Sequence, residues 1–270
     1  MTSFDQKGEL LDYVRYHGLD ELCQVDAKSV ELNIDPHRGK SWHEGVVEHS
    51  IPCNWPDLVR LHKIVLDRRV TTVLEFGIGY STLVLAHALN ENKIQYKKFV
   101  KENLRKNNAF EVHSVDADQH FINTTQEKVP NDIREIARFC KSDVVMGEWC
   151  GRICTFYERL PNICPDLIYI DGPSRYHPQN SIRNISTSNP DRMPMSADVL
   201  SIEYFLLPGT VIIIDGRTAN ARFLKNNLQR DWNYQHFIDQ DYHLFELVEE
   251  PLGLLNRVEL EWKSYNMNND

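Results

Sequence analysis

The feature that most constrains this 270-residue chain is a regular alternation, from residue 70 onward, of short apolar segments with helical segments. The apolar segments have strand length and are apolar at nearly every position, which is typical of parallel strands with both faces covered. Residues 166–170 and 210–214 carry this pattern most clearly, and residues 70–76 and 111–115 are two further predicted strands of more mixed composition. The alternation predicts an α/β fold with a mostly parallel sheet and helices on both faces.

Two pairs of predicted strands have no helix between them. The segments near 234–238 and 243–248 follow each other directly, which predicts one antiparallel strand at the end of the sheet. Residues 138–146 and 152–157 flank the turn at Cys150-Gly151, and this spacing predicts a hairpin inserted into the alternating pattern.

The chain divides by pattern into three parts. Residues 1–70 carry apolar residues at helical spacing on either side of a polar, proline-containing stretch, and we interpret them as an N-terminal helical cap or extension. Residues 71–250 form the predicted α/β domain. Residues 251–270 are predicted to be a C-terminal tail.

Composition excludes several classes of protein. The net charge is −9, so a nucleic acid, which is itself anionic, is not an expected partner. No apolar run approaches the roughly 20 residues that a membrane-spanning helix needs, so no membrane partner is expected. The N-terminal sequence is acidic rather than signal-like, and six cysteines are few for this length. We therefore expect a cytoplasmic protein with reduced cysteines.

A glycine-containing turn follows the first predicted strand. Gly77 and Gly79 stand between that strand and the next helix, where the absence of side chains lets a ligand approach the backbone. The third glycine of the dinucleotide fingerprint is missing, because Thr82 occupies its place. Glu75 precedes the turn, and a carboxylate there favours a cationic ligand such as an ammonium group over a pyrophosphate. The alternative is that Glu75 only braces the loop.

Asp116 ends the second predicted strand of the domain. In nucleoside-binding sheets an acid at this point accepts hydrogen bonds from ribose hydroxyls. The spacing from the glycines is longer than the usual 20 or so residues. Asp118, two residues further along, is the alternative candidate for this ribose-binding acid, although its position also suits a helix N-cap.

Three segments of the sequence resemble motifs of a known family. The run Val-Leu-Glu-Phe-Gly-Ile-Gly-Tyr-Ser-Thr, residues 73–82, looks like motif I of the class I methyltransferases that use S-adenosylmethionine (SAM) and release S-adenosylhomocysteine (SAH). Residues 166–171 resemble motif IV of that family, and residues 207–215 its following strand. The resemblance implies a Rossmann-like, seven-stranded, mostly parallel sheet. It also implies a cofactor site formed by Glu75, Gly77, Gly79, Tyr80, Ser81 and Asp116, with Asp143 near the adenine.

The chemistry is expected at the carboxyl edge of the sheet. Asp171 and Asp215 end two neighbouring predicted strands, where they are placed to hold a divalent cation or to act as a base. The catechol-type O-methyltransferases add an asparagine after the second acid, but here Gly216 follows, which argues against a metal. His177, in the long polar loop after Asp171, is a further candidate base, and a solvated surface histidine is its alternative.

These observations predict a SAM-dependent methyltransferase that acts on a small polar acceptor, such as a sugar or secondary metabolite, at a hydroxyl oxygen. Two alternatives stay open: a SAM-fold binding protein without turnover, and a related group transferase such as a polyamine synthase. The oligomeric state, including a homo-oligomer, is left undetermined by the sequence.

Overall fold

The structure is a computed structural model, and it describes residues 3–25, 53–189 and 191–264. The middle of the predicted cap, residues 26–52, lies outside the described residues. Within the described residues, no helix is both long and apolar enough to span a membrane.

A seven-stranded sheet forms the centre of the fold. Its strand order is β3-β2-β1-β6-β7-β9-β8, and every pairing is parallel except those of β9 with its two neighbours. The strands are β1 (Thr72–Phe76), β2 (Glu111–Asp116), β3 (Ala137–Lys141), β6 (Leu167–Ile170), β7 (Val211–Asp215), β8 (Trp232–Phe237) and β9 (Tyr242–Leu247). The predicted mostly parallel sheet with one antiparallel strand is therefore confirmed, and the antiparallel strand is the last one in the chain.

Helices cover both faces of this sheet. They are α1 (Ser3–Tyr16), α2 (Leu19–Cys23), α3 (Trp55–Asp67), α4 (Tyr80–Asn103), α5 (Gln119–Lys128), α6 (Asp198–Ile202), α7 (Thr218–Lys225) and α8 (Leu254–Ser264). One apolar core lies between the four helices α1, α2, α3 and α4 and the sheet face that carries Val73. A second core lies between helices α6 and α7 and the face that carries Leu74. Alternate residues of each buried strand thus point into different cores, as the pleat requires.

The N-terminal helices share the main core. Val14 of α1 and Leu19 of α2 are fully buried in the same apolar cluster as Leu83 and Leu85 of α4. The described part of the predicted cap is therefore continuous with the sheet domain rather than a separate layer. The predicted tail also contains structure, because α8 packs Trp262 against Phe99, with the two rings stacked 5.4 Å apart.

The hairpin differs from its predicted extent. The expected strand over residues 138–146 is two strands: β3, which pairs with β2, and β4 (Val144–Trp149), which pairs antiparallel with β5 (Arg152–Tyr157). The chain changes sheets at Ser142, whose N–H still donates to the Asp116 carbonyl and whose hydroxyl accepts from the Arg159 N–H. The sequence pattern is continuous across this change, so only the pairing partners reveal it.

Candidate functional site

The glycine turn after β1 is built against the end of β6. Gly77 has a φ of 104°, a conformation that side chains rarely adopt. A Cβ at Gly77 would lie 3.2 Å from the carbonyl carbon of Asp171 and 3.2 Å from the nitrogen of Gly172. A Cβ at Gly79 would meet no protein atom within 4 Å. Gly77 is therefore required by the fold, whereas the space beside Gly79 is open.

We expect Gly77→Ala to lower the free energy of unfolding by about 1–3 kcal/mol, because it combines an unfavourable φ with a backbone clash. Gly79→Ala is the matched control, since Gly79 has an extended φ of 177° and no protein atom beside it. Chemical denaturation of both variants measures the difference. Equal losses of stability would contradict this account of the turn.

Glu75 braces the turn from inside the protein. Its side chain is fully buried, and its carboxylate accepts hydrogen bonds from the hydroxyls of Ser81 (2.5 Å), Thr82 (2.6 Å) and Ser114 (2.5 Å). Burial raises the pKa of Glu75 to about 7 in spite of these three donors. The structure thus favours the loop-bracing interpretation of Glu75 over direct contact with an ammonium group.

Asp116 joins the end of β2 to the same turn. One carboxylate oxygen accepts from the Ile78 N–H at 3.0 Å and the other from the Asp118 N–H at 2.8 Å. Burial raises the pKa of Asp116 above its usual range. Each oxygen retains a lone pair for a further donor. Asp118 in turn caps α5 by accepting from the His120 N–H, so it has the capping role that its position suggested.

Two of the predicted cofactor residues have side chains engaged elsewhere. The Tyr80 ring lies under the Lys128 ammonium, 4.7 Å from its centre, on the side facing α5. Asp143 is exposed and forms an ion pair with Lys141, because it follows the edge strand β3 on its solvent side. Glu75, Gly77, Ser81 and Asp116 do come together at the turn.

Two buried polar atoms near Asp116 have no partner among the described residues: the Tyr157 hydroxyl and the His177 Nδ1. The Tyr157 ring stacks on Phe76 at 5.5 Å, and a Cβ at Gly172 would lie 2.8 Å from its hydroxyl oxygen. The pKa of His177 is lowered by burial, although the nearby Asp116 carboxylate opposes that effect. Buried polar groups are almost always hydrogen-bonded, so these two atoms are candidates for bonding a polar ligand.

Sequence reasoning missed Tyr157. It belongs to β5 of the inserted hairpin, where an aromatic residue is unremarkable. Its position depends on how the hairpin is held over the sheet edge. The Asn180 side chain holds the hairpin in place: its amide oxygen accepts from the Met146 N–H (2.7 Å), and its amide nitrogen donates to the Met146 carbonyl (3.1 Å). The loop after β6 and the hairpin thus enclose the turn together.

The two acids at the sheet edge each have an arginine partner. The Arg217 Nε lies 3.5 Å from an Asp171 carboxylate oxygen. The Arg60 guanidinium donates to Asp215 at 2.9 Å and to Asp57 at 2.6 Å. Burial, with the neighbouring charge of Asp57, raises the pKa of Asp215 to about 8. Because both carboxylates already face a fixed cation, and Gly216 adds no oxygen ligand, these residues do not fit a divalent metal.

Sequence reasoning also missed Asp57 and Arg60. Both lie on α3, in the part of the chain predicted to be a cap, and Arg60 is separated from Asp215 by 155 residues. Arg60 also stacks over the Tyr242 ring, with its Cζ 4.1 Å from the ring centre. No local signal in the sequence connects these residues, so the cation at this edge is a product of tertiary packing.

No protein-family model and no curated protein sequence matches the chain. Among solved structures, an O-methyltransferase from Streptomyces achromogenes involved in tomaymycin synthesis, in complex with SAM, is 12% identical, with 86% of this chain and 89% of that chain covered at a TM-score of 0.43. An O-methyltransferase from Bacillus cereus in complex with SAH is also 12% identical, with 86% and 90% covered at a TM-score of 0.43. A putative caffeoyl-CoA O-methyltransferase from Staphylococcus aureus is 10% identical, with 90% and 99% covered at a TM-score of 0.45.

The strand order carries the fold assignment independently of these distant similarities. The sheet has seven strands, and its last strand in the chain is antiparallel to the rest. The glycine turn follows β1, where the strand order reverses: β2 and β3 lie on one side of β1, and β6 and β7 on the other. In open α/β sheets, ligands bind at this switch point. The protein has a class I methyltransferase-like, Rossmann-type α/β fold.

Proposed function

We propose that the protein is a SAM-dependent methyltransferase that methylates a hydroxyl oxygen of a small polar acceptor. The observation that carries the proposal is the group of features around the turn. Open space beside Gly79, the unpartnered hydroxyl of Tyr157 and the unpartnered Nδ1 of His177 all lie near Asp116 at the carboxyl edge of the sheet. A nucleoside fits there, because it brings hydroxyls for the acid and acceptors for the hydroxyl.

The chain's own residues divide the binding between them. The free lone pairs of Asp116 accept from ribose hydroxyls, and Gly79 lets the ligand approach the backbone. The ammonium of the amino acid portion needs an acceptor other than Glu75, which is buried and occupied by three hydroxyls. We assign this role to Asp171, because the Arg217 Nε contacts one of its carboxylate oxygens only at 3.5 Å, the carboxylate is about half exposed (49%), and its backbone packs on Gly77.

SAM, when bound, supplies an activated methyl group whose transfer leaves SAH. The protein then has to position the acceptor and remove its proton. His177 is the better base among the candidates, because burial keeps its imidazole neutral and its Nδ1 is unpartnered. Asp215 accepts from the Arg60 guanidinium at 2.9 Å, so it serves to position Arg60 rather than to take the acceptor proton. His177 would hold, at Nδ1, the proton that the acceptor hydroxyl loses.

Tyr157→Phe tests the proposal with little effect on folding. Because the hydroxyl has no partner among the described residues, its removal is expected to leave the free energy of unfolding unchanged or slightly increased. The affinities for SAM and SAH should fall by about 3- to 10-fold, the value of one hydrogen bond. Isothermal titration calorimetry with both ligands measures this, and Tyr204→Phe, which removes an exposed hydroxyl, is the control.

Two results would count against the proposal. Wild-type protein that binds neither SAM nor SAH contradicts it directly. Equal affinities in wild type and Tyr157→Phe would remove Tyr157 from the site. Radiolabelled methyl transfer from SAM across a panel of sugars and phenols then separates an enzyme from a binding protein without turnover.

The fixed cations Arg60 and Arg217 at the sheet edge disfavour a polyamine acceptor, which is itself cationic.

A further inference from the structure

A second cluster of titratable side chains lies away from the glycine turn, among the N-terminal helices. We call it the histidine cluster, and it consists of His17, His62, His87 and Glu91. His17 follows α1, His62 lies on α3, and His87 and Glu91 stand one turn apart on α4. Three separate helical segments therefore direct imidazole or carboxylate groups to one point. The proposed function uses none of these residues.

The donor atoms of the cluster form a continuous chain of close contacts. The His62 Nε2 lies 2.9 Å from the His87 Nδ1, the His87 Nδ1 lies 3.7 Å from the Glu91 Oε1, and that oxygen lies 2.9 Å from the His17 Nδ1. One donor atom from each of His17, His62 and Glu91 lies within 4.8 Å of the other two. In a tetrahedral zinc site with bonds of about 2.0–2.1 Å, ligand atoms are about 3.3 Å apart. The observed contacts bracket that value.

The orientation of His62 also suits a metal. Its ring is fully buried, and its Nε2 lies on the side of the His87 Nδ1. Its other nitrogen, Nδ1, is 2.8 Å from the Tyr13 hydroxyl. An outer hydrogen bond of this kind fixes the orientation of a metal-ligating histidine and directs Nε2 inward.

Burial of the cluster excludes a merely solvated group. His62 is fully buried, and the side chains of His17, His87 and Glu91 are only 13%, 23% and 34% exposed. The rings of His62 and His87 share a hydrogen bond between Nε2 and Nδ1, and the His17 Nδ1 bonds to the Glu91 carboxylate. With a divalent cation bound, the same donor atoms would each direct a lone pair to the ion.

We propose that His17, His62, His87 and Glu91 bind one divalent transition-metal ion of the zinc class, which fastens α1 to α3 and α4. Three imidazoles and one carboxylate are donors that this class accepts, and four ligands close the coordination sphere as in structural sites. The site is separate from the sheet-edge acids Asp171 and Asp215. It would stabilise the helix that begins at the glycine turn, because α4 carries two of its ligands.

The experiment titrates the full chain, stripped with a chelator, with Zn²⁺ and Co²⁺. We expect one saturable site per chain, a cobalt absorption spectrum of a four-coordinate site without thiolate bands, and a rise in Tm of about 5 °C at saturating Zn²⁺. His17→Gln and Glu91→Gln should each weaken Zn²⁺ binding by about 100-fold or more, and Tyr13→Phe by about 10-fold. Circular dichroism checks that the variants fold.

His236→Gln is the matched control. His236 stacks on His243 with ring centres 3.9 Å apart, so it belongs to a histidine pair outside the cluster, and its replacement should leave Zn²⁺ affinity within about twofold of wild type. The proposal is overturned if the wild type shows no saturable binding, if cobalt gives thiolate bands, or if His236→Gln weakens binding as much as His17→Gln. None of these readouts depends on SAM.

Discussion

Replacing Asp166 by alanine is expected to lower the free energy of unfolding by about 3–5 kcal/mol, the usual cost of removing one partner from a buried charge network. Asp166 is buried at the amino end of β6, on the opposite edge from the candidate site. Its carboxylate accepts from the Lys263 ammonium at 2.6 Å and lies 3.9 Å from that of Lys106. Without it, the two buried ammonium groups share one remaining carboxylate partner among the described residues, Glu259.

The backbone entry to β1 depends on the same carboxylate. Asp166 accepts from the Thr71 N–H at 2.9 Å and from the Thr72 N–H at 2.6 Å, so it satisfies two donors where the chain enters the sheet. An alanine leaves both donors unpaired, which adds to the cost. Urea denaturation of the variant measures the loss. Glu135→Ala, which breaks an exposed pair with Lys93, is the control and should leave stability nearly unchanged.

The pH dependence of this network has a definite sign. Burial alone would raise the pKa of Asp166, but the charges of Lys106 and Lys263 outweigh it and hold the pKa well below its usual range. The folded state therefore binds the proton less tightly than the unfolded state. Its contribution to stability is present above the unfolded pKa of about 4 and is lost as the pH falls below that value. Wild type should lose more stability than Asp166→Ala between pH 5 and pH 3; parallel curves would contradict the assignment.

Replacing Glu75 by alanine should have a comparable effect, about 3–5 kcal/mol, because it opens a cavity and removes the acceptor of three hydroxyl donors, of which Thr82 and Ser114 are fully buried. Ser81, Thr82 and Ser114 belong to α4 and β2, so the loss should also loosen the turn and weaken SAM binding. Denaturation and calorimetry on the same variant measure both effects. A stable variant with normal affinity would show that Glu75 does not brace the turn.

Glu75→Gln tests the ionisation of Glu75 separately from its size, because glutamine has nearly the same shape but carries no charge. The folded state raises the pKa of Glu75 from 4.5 to about 7, so it binds the proton more tightly than the unfolded state does. The contribution of Glu75 to stability is therefore complete below pH 4.5 and is lost as the pH rises through 7, by up to about 3 kcal/mol. Glutamine cannot ionise, so its curve should be flatter over this window. The opposite slope, in which the wild type gains stability as the pH rises towards 7, would contradict the claim that burial raises the pKa of Glu75.

The periodicity and the turn residues of the sequence were sufficient for the architecture. Strands buried on both faces are apolar at nearly every position, and this local requirement is visible in residues 167–170 and 211–214. The absence of a helix between β8 and β9 forced an antiparallel pair. Gly77 was also visible, because a left-handed φ at a close backbone approach selects glycine locally.

The orientation and partners of charged side chains were not determined in this way. A carboxylate before a glycine turn has the same local sequence whether it faces a ligand or three hydroxyls, and only packing placed Ser114 of the neighbouring strand against Glu75. Likewise, packing alone brought Arg60 to Asp215, Tyr157 to the turn, and His17, His62 and His87 together.

Sequence by itself determined the sheet and the turn, because their requirements act between near neighbours. Tertiary structure decided the electrostatics, because a pKa or an ion pair depends on atoms that are distant in the chain and adjacent only after folding.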